Sequence, residues 1–304
     1  MVIDIKRALQ SNRLMKSLTG LSADEFLNLV PAFRVAFFEI KNEKYEREKA
    51  NRQRKPGSGP QGLLASADEK LFFILLYLKC YPTVDVLAFF YQCNRSAACR
   101  NVHRHIKVLE KTLGQRQVLP KRKISSAKEF FEIFPGAKEV FIDGTERPIR
   151  RPKDNEAQRQ NYSGKKKRHT KKNIVICGRD KRVGFLGKTT QGKEHDFPIL
   201  KSEDVLPHIP KNVIAHCDLG FQGIQTEFPD LRSVLPKKKP RGKELSADEK
   251  EQNKAKSRIR ILVENALAGV KRLRIVSDIF RNRVKNFDDL IMVICSGLWN
   301  YHLT

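Results

Sequence analysis

Apolar and polar positions divide the chain into a helical first part and a later part of short β-type runs. Three stretches, Ser22-Ala-Asp-Glu25, Ser66-Ala-Asp-Glu69 and Ser246-Ala-Asp-Glu249, carry a Ser followed three residues on by Glu, the pattern in which the two side chains cap each other's backbone N–H groups at a helix start. The first predicts a helical region to about Asn51, ended by the breaker cluster Lys55-Pro56-Gly57-Ser58-Gly59-Pro60, which reads as a linker. The second opens an apolar helix, Leu71 to Cys80, followed by a short helix from Val84 to Tyr91, a Gln92-Cys93-Asn94 turn and a basic helix from Ser96 to Leu113. Two helices joined by so short a turn fit a helix-turn-helix; a three-helix bundle with a charged outer face fits the same pattern. On the basic helix, Ala98, Val102, Ile106 and Leu109 share an inward face. Arg95, Arg100, Asn101, Arg104 and Lys107 remain for phosphates or base edges.

From Lys138 the period shortens. Glu139 to Ile142, Asn173 to Cys177, Val183 to Leu186, Val213 to Cys217 and Ser233 to Leu235 read as strands, and the helices between the later ones argue for an α/β fold. The third Ser box opens a long helix, Ala247 to about Leu273, with a stripe of Ile259, Leu262, Val263, Ala266, Leu267, Val270 and Leu273 for the sheet. A last helix, expected to be capped by Asn286, repeats the arrangement with Phe287, Leu290, Ile291, Ile294, Leu298 and Tyr301. The expected domains are 1–54 (helical, a candidate dimer contact), 63–120 (helix-turn-helix) and 137–304 (α/β).

Charge narrows the partner. Sixty Lys and Arg against 34 Asp and Glu give a formal charge of +26 over 304 residues, which implies a polyanion; a 40% hydrophobic composition says that the chain nevertheless folds around a core. The start carries charged residues where a signal peptide has its apolar run, and Leu71 to Leu78 is too short to span a membrane. A cytoplasmic, nucleoid-associated protein is the expectation. Six irregularly spaced cysteines are then expected to be reduced and mostly buried. Cys93, Cys99, His103 and His105 match no zinc module, and core thiols with helix-surface histidines are the better reading.

Asp143-Gly144 and Asp218-Leu219-Gly220 each follow an apolar run, so each is expected to project a carboxylate at the sheet rim. Either alone is as well explained as a turn or cap. Glu264 lies at the border of the long helix's apolar stripe, with Arg260 and Lys271 within about 40° of it around the helix axis. Three carboxylates from two strands and a helix suit two Mg²⁺ ions, which favour hard oxygen ligands and leave positions for water and phosphate; Arg260 and Lys271 would hold the scissile phosphate. Between Arg147 and Arg182 stand fourteen Lys or Arg and three acids. That run includes Lys165, Lys166, Lys167, Arg168 and Lys171, and a second cluster, Lys237-Lys238-Lys239-Pro240-Arg241-Gly242-Lys243, follows the fifth run. These clusters flank the proposed site, so phosphate tracking accounts for them better than a solvated face.

At this point the residues resemble a known family. Asp143-Gly144-Thr145-Glu146, Tyr162-Ser163-Gly164-Lys165-Lys166-Lys167-Arg168-His169-Thr170, His195-Asp196, Asp218-Leu219-Gly220-Phe221-Gln222-Gly223 and Arg260-x3-Glu264-x6-Lys271 are similar to DDE transposases of bacterial insertion sequences, in the insertion-sequence-five group related to the eukaryotic PIF/Harbinger elements. The helix signature departs at Ser257, where the family has Tyr. The resemblance implies an RNase H-like domain with a mixed five-stranded sheet flanked by helices, preceded by an all-α helix-turn-helix region that reads terminal inverted repeats of double-stranded DNA. It further implies Asp143, Asp218 and Glu264 as catalytic metal ligands, and Mg²⁺ (or Mn²⁺) as cofactor. Hydrolysis at element ends, joining of the 3′ hydroxyl to target DNA, and a homodimer or higher assembly on DNA complete the expectation. The role of His195-Asp196 stays open between a functional pair and a helix cap. The alternative function is a catalytically silent, transposase-derived DNA-binding or regulatory protein.

Overall fold

Each Ser-Ala-Asp-Glu box closes as its residue types dictate. Ser22, Ser66 and Ser246 accept from the backbone N–H of Glu25, Glu69 and Glu249, whose carboxylates accept in return from the Ser N–H groups. A computed structural model of the chain describes residues 3–51, 62–240, 242 and 244–304. The expected 55–60 linker, and Arg241 and Lys243 of the second basic cluster, lie outside the described residues.

The chain forms two compact units, residues 1–118 with 272–275 and 304, and residues 119–271 with 276–303. The first is all-helical: α1 (Ile5–Leu9), α2 (Asn12–Thr19), α3 (Ala23–Glu48), α4 (Ala67–Cys80), α5 (Val84–Phe90) and α6 (Arg95–Gln115). Every residue of α4 from Leu71 to Leu78 is buried, since α2, α3 and α6 pack around it. This is why its sequence is apolar on all sides. The described helices of the expected 1–54 and 63–120 regions therefore share one core: Phe26 of α3 meets Phe72 of α4 edge-on, with ring centroids 6.1 Å apart. Ala98, Val102, Ile106 and Leu109 of α6 face inward as expected.

The second unit begins at Leu119, earlier than the expected Ala137. Lys121 already bonds to Gly184, and Ile124 and Phe130 enter the core. Its elements are α7 (Ala127–Ile133), β1 (Glu139–Pro148), α8 (Asn155–Asn161), β2 (Tyr162–Ser163), β3 (Arg168–Cys177), β4 (Val183–Leu186), β5 (Thr190–Gln191), α9 (Asp196–Ser202), β6 (Ile214–Cys217), α10 (Ile224–Glu227), β7 (Ser233–Val234), α11 (Ala247–Lys271) and α13 (Phe287–His302). The short α12 (Arg274–Ser277) begins among residues counted with the first unit.

The sheet is mixed and runs β2-β3-β1-β6-β7, with β4 and β5 also on β3. β1 lies antiparallel to β3 and parallel to β6, and β6 is parallel to β7. The five expected strands are present, joined by the two-residue β2 and β5. Val140, Ile142, Ile174 and Ile176 bury one sheet face against Ile199 and Leu200 of α9. α11 packs on β1 and β3, and α13 on α11 and β4.

Several local expectations are corrected. β1 does not end at Asp143. It continues to Pro148 along β3, and its polar second half is covered, Thr145 and Arg147 being 1% and 2% exposed. Only from Arg260 onward does α11 bury side chains; Ile259 lies outside. Asn286 stands at the α13 N-cap with φ 61° and no side-chain cap bond. His105 is not on a helix surface but 1% exposed, and among the described residues no group of three or more His, Cys, Asp or Glu is placed to hold a metal. All six cysteines are free thiols, three of them fully buried.

Candidate active site

The register of β1 and β6 brings the first two acids together. Ile142 is paired with Cys217, so the next residue on each strand, Asp143 and Asp218, stands side by side where the parallel ladder stops. Both meet the guanidinium of Arg260 from α11. Its Nη1 donates to Asp218 Oδ1 at 3.1 Å, and its Nη2 lies 3.8 Å from Asp143 Oδ2. Arg260 is only 8% exposed, so it is a buried counter-ion between two carboxylates. Burial pushes the Asp143 carboxyl up to about 6; the nearby Asp218 and Asp196 push the same way, against Arg260 and the N–H of Gly144.

A third carboxylate sits closer than the sequence indicated. Asp196, the first residue of α9, lies against the backbone of Gly144 and Gly220. A Cβ built on Gly144 would be 2.8 Å from its Cγ, and one on Gly220 would be 2.9 Å from its Oδ2. A side chain at either position would press on this carboxylate where it lies beside the Asp143–Asp218 pair. The almost buried Lys172 of β3 holds it. Its Nζ donates to Asp196 Oδ1 at 3.1 Å and to the Glu194 carbonyl at 2.7 Å, and pairs with Glu146 at 3.6 Å. His195 occupies the α9 N-cap position without a side-chain cap bond. The signal for this arrangement was present in Asp143-Gly144 and Asp218-x-Gly220, although both glycines read locally as turn residues.

Glu264, one turn beyond Arg260, is exposed and makes no hydrogen bond or ion pair among the described residues. It lines the same cavity of about 330 Å³ as Asp143, Glu146, Asp196 and Asp218. The cations Lys165, Lys166, Arg168, Arg260 and Lys271 also line it. An acidic pole at the centre of the sheet thus faces a cationic rim, a complement to a phosphodiester approached by divalent cations. Burial and the neighbouring Lys166 hold the Lys271 ammonium below its ordinary range.

Other expected DNA contacts are distributed differently. Lys171 is paired with Asp288 of α13 at 2.7 Å. Lys237 and Lys239 pair with Glu249 and Glu244, and Lys238 donates to Gln222. Lys167 is exposed beside the cavity-lining Lys166. In the helical unit, Arg95 is paired with Asp85 at 3.1 Å, while Arg100, Asn101 and Arg104 line a hollow of about 890 Å³ with Phe37 and Phe38.

A mixed sheet in this order, with adjacent acids at its centre and carboxylates of α9 and α11 lining the same cavity, is the arrangement of an RNase H-like nucleic-acid endonuclease. Residues 142–300 match the family described as DDE superfamily endonuclease, and residues 63–115 match the helix-turn-helix of DDE superfamily endonuclease. A protein of Microchaete diplosiphon described as a probable transposase for insertion sequence element IS702 is 32% identical over 255 residues, covering 83% of this chain and 85% of that one. No solved structure matches the chain. The chain belongs to the DDE superfamily of endonucleases, among the DDE transposases of insertion elements.

Proposed function

We propose that the chain is an active transposase. Its α5–α6 pair reads the terminal inverted repeats of its element, and its sheet unit cleaves DNA at the element ends and joins the freed 3′ hydroxyl to target DNA. The reading is carried by one observation: Asp143 and Asp218, far apart in sequence, converge on a single buried guanidinium in a cavity rimmed by Lys and Arg.

The donor chemistry fits divalent cations, because Asp143, Asp218 and Glu264 offer hard carboxylate oxygens on one cavity, although as they stand they form no ready metal cluster and Arg260 occupies the place between the first two. Asp143 and Asp218 would hold Mg²⁺ or Mn²⁺, with Glu264 as the third carboxylate on the same cavity. When bound, such ions supply an activated attacking oxygen and stabilise the departing 3′ oxygen of an in-line displacement. Arg260, Lys166 and Lys271 neutralise the charge that grows on the phosphate. Lys172 keeps Asp196 against the two glycines and so fixes the wall of the site. Joining requires two element ends held together, so the assembly on DNA is a homodimer or larger, with α1–α3 as the candidate contact.

The test is cleavage of duplex carrying an element end, in Mg²⁺ or Mn²⁺, by wild type and Asp143→Ala. Wild type is expected to nick, and the variant to bind but not nick. Wild type that binds and never nicks would leave the alternative, a catalytically silent DNA-binding protein in which Arg260 permanently neutralises the acidic pair.

A further inference from the structure

A second concavity on the sheet unit was not singled out by the sequence. Phe280 donates its backbone N–H to the Pro148 carbonyl at 2.9 Å and bridges to Ile149 in parallel fashion. The chain after α12 is thereby fixed along the end of β1. Together with the residues that leave β1, it walls a hollow of about 660 Å³ lined by Arg150, Arg151, Lys153, Arg281, Arg283 and Lys285. The one carboxylate in the lining, Asp288, is already taken by Lys171 at 2.7 Å. Arg150, Lys153, Arg283 and Lys285 make no ion pair among the described residues. Cations gathered in a concavity repel one another and focus a positive potential that an anion relieves.

The hollow is continuous with the acidic cavity. A shallow trough lined by Pro148, Arg168, Ser277, Asp278, Ile279 and Arg281 shares Pro148, Arg168 and Ser277 with that cavity and Arg281 with the hollow, so that one carboxylate stands between two cations along it. The aromatic ring of the hollow, Phe280, is 7% exposed and offers no stacking platform, and the side-chain Oδ1 of Asn282 accepts from the Val284 N–H. Guanidinium and ammonium groups without base-edge or stacking partners are the chemistry of backbone recognition.

We propose that this trough, with the hollow it opens into, carries the phosphate backbone of double-stranded DNA leading away from the scissile phosphate, whatever its sequence. This DNA lies outside the element: the flank before cleavage or the target at joining. The proposal rests on the endonuclease reading of the Asp143–Asp218 cavity. It adds a partner surface to that reading.

The experiment uses the full chain with Arg150, Lys153, Arg283 and Lys285 all changed to Ala. A charge-matched control carries Lys123, Lys128, Lys138 and Lys188 changed to Ala, exposed positions outside the trough. Affinity for a labelled random-sequence duplex is measured against salt concentration without divalent metal. At ~0.9 per phosphate contact, the slope of log affinity against log salt is expected to fall by about 3 to 4 in the trough variant and by less than about 1 in the control. Equal slopes in the two variants overturn the proposal. Two arms separate the sources. A loss on end-containing duplex that disappears when the flank is trimmed assigns the trough to flanking DNA. A loss confined to random duplex offered to protein already holding trimmed ends assigns it to target DNA. Loss in neither arm again overturns it. Because binding is read without metal, failure of wild type to nick would defeat the catalytic reading and leave the slope result standing.

Discussion

His105 offers a sharp test of how the helical unit is built. It sits on α6, the helix that also carries Arg100, Asn101 and Arg104, yet it is 1% exposed, with the rings of Phe33, Phe37 and Phe73 at 6.4, 6.1 and 6.2 Å between centroids. Neither ring nitrogen has a hydrogen-bond partner among the described residues. Burial, reinforced by Arg104 and Lys70, lowers its pKa from 6.5 to about 3. The folded chain therefore holds it neutral where the unfolded chain protonates it. Stability is intact above about pH 6.5 and is lost as pH falls toward 3. At ~1.36 kcal/mol for each tenfold change in proton affinity, the loss attributable to this side chain is about 2 kcal/mol at about pH 5 and approaches 5 kcal/mol at lower pH, to order of magnitude. His105→Phe removes both the proton linkage and two unpaired buried nitrogens. The variant is expected to be more stable at neutral pH by about 1–3 kcal/mol and to widen that lead by about 2 kcal/mol between about pH 8 and pH 5. Urea unfolding of the full chain followed by circular dichroism, with hydrogen exchange assigning the transition to α6, measures both. Other titrating groups, His103 included, cancel in the difference. Parallel pH–stability curves for the two proteins would refute the reasoning.

Three further outcomes are expected. Burial holds the Asp143 carboxyl of the metal-free chain up to about 6, so protons compete with the divalent ion for it and the metal concentration needed for half-maximal cleavage should rise as pH drops through that value; for stability of the metal-free chain the sign is opposite, Asp143 lowering it as pH rises from 3.8 to about 6. A metal requirement unchanged down to about pH 5 would count against Asp143. Gly144→Ala places a methyl 2.8 Å from the Asp196 carboxyl carbon and should cost about 1–3 kcal/mol, recovered when Asp196→Ala is added; a double-mutant cycle with no coupling would show that the two do not compete for space. Gly269→Ala would put its Cβ 2.3 Å from the Trp299 ring, so it should loosen α11 from α13 by a similar amount and shift the fluorescence of the single tryptophan, and an unchanged spectrum and melting point would contradict this packing.

How much of this was legible in the sequence depends on how local the cause is. The Ser boxes and the inward face of α6 were readable because capping and helical periodicity act over three to four residues. The full length of β1 was not, because Thr145 and Arg147 are polar yet buried: β3 flanks them, and Arg147 donates to the Asp288 carbonyl and to Asn173. Lys171 and Lys172 read as part of a DNA track, whereas both are tied to carboxylates distant in the chain. The His195-Asp196 pair stands out in the sequence, but its role does not, since the place of Asp196 is set by two glycines on other segments. The Arg281-to-Lys285 stretch does not stand out for the opposite reason: its charges are unremarkable in so basic a chain, and the Phe280–Pro148 bond that fixes it beside β1 is long-range.

The guanidinium of Arg260 has one more consequence. Because this positive charge is covalently part of α11, Asp143 and Asp218 do not face each other bare in the folded chain. The sheet can close without waiting for an inorganic ion, so a chelator should leave the unfolding transition nearly where it was, and supply of divalent ions would govern when the protein acts rather than whether it folds.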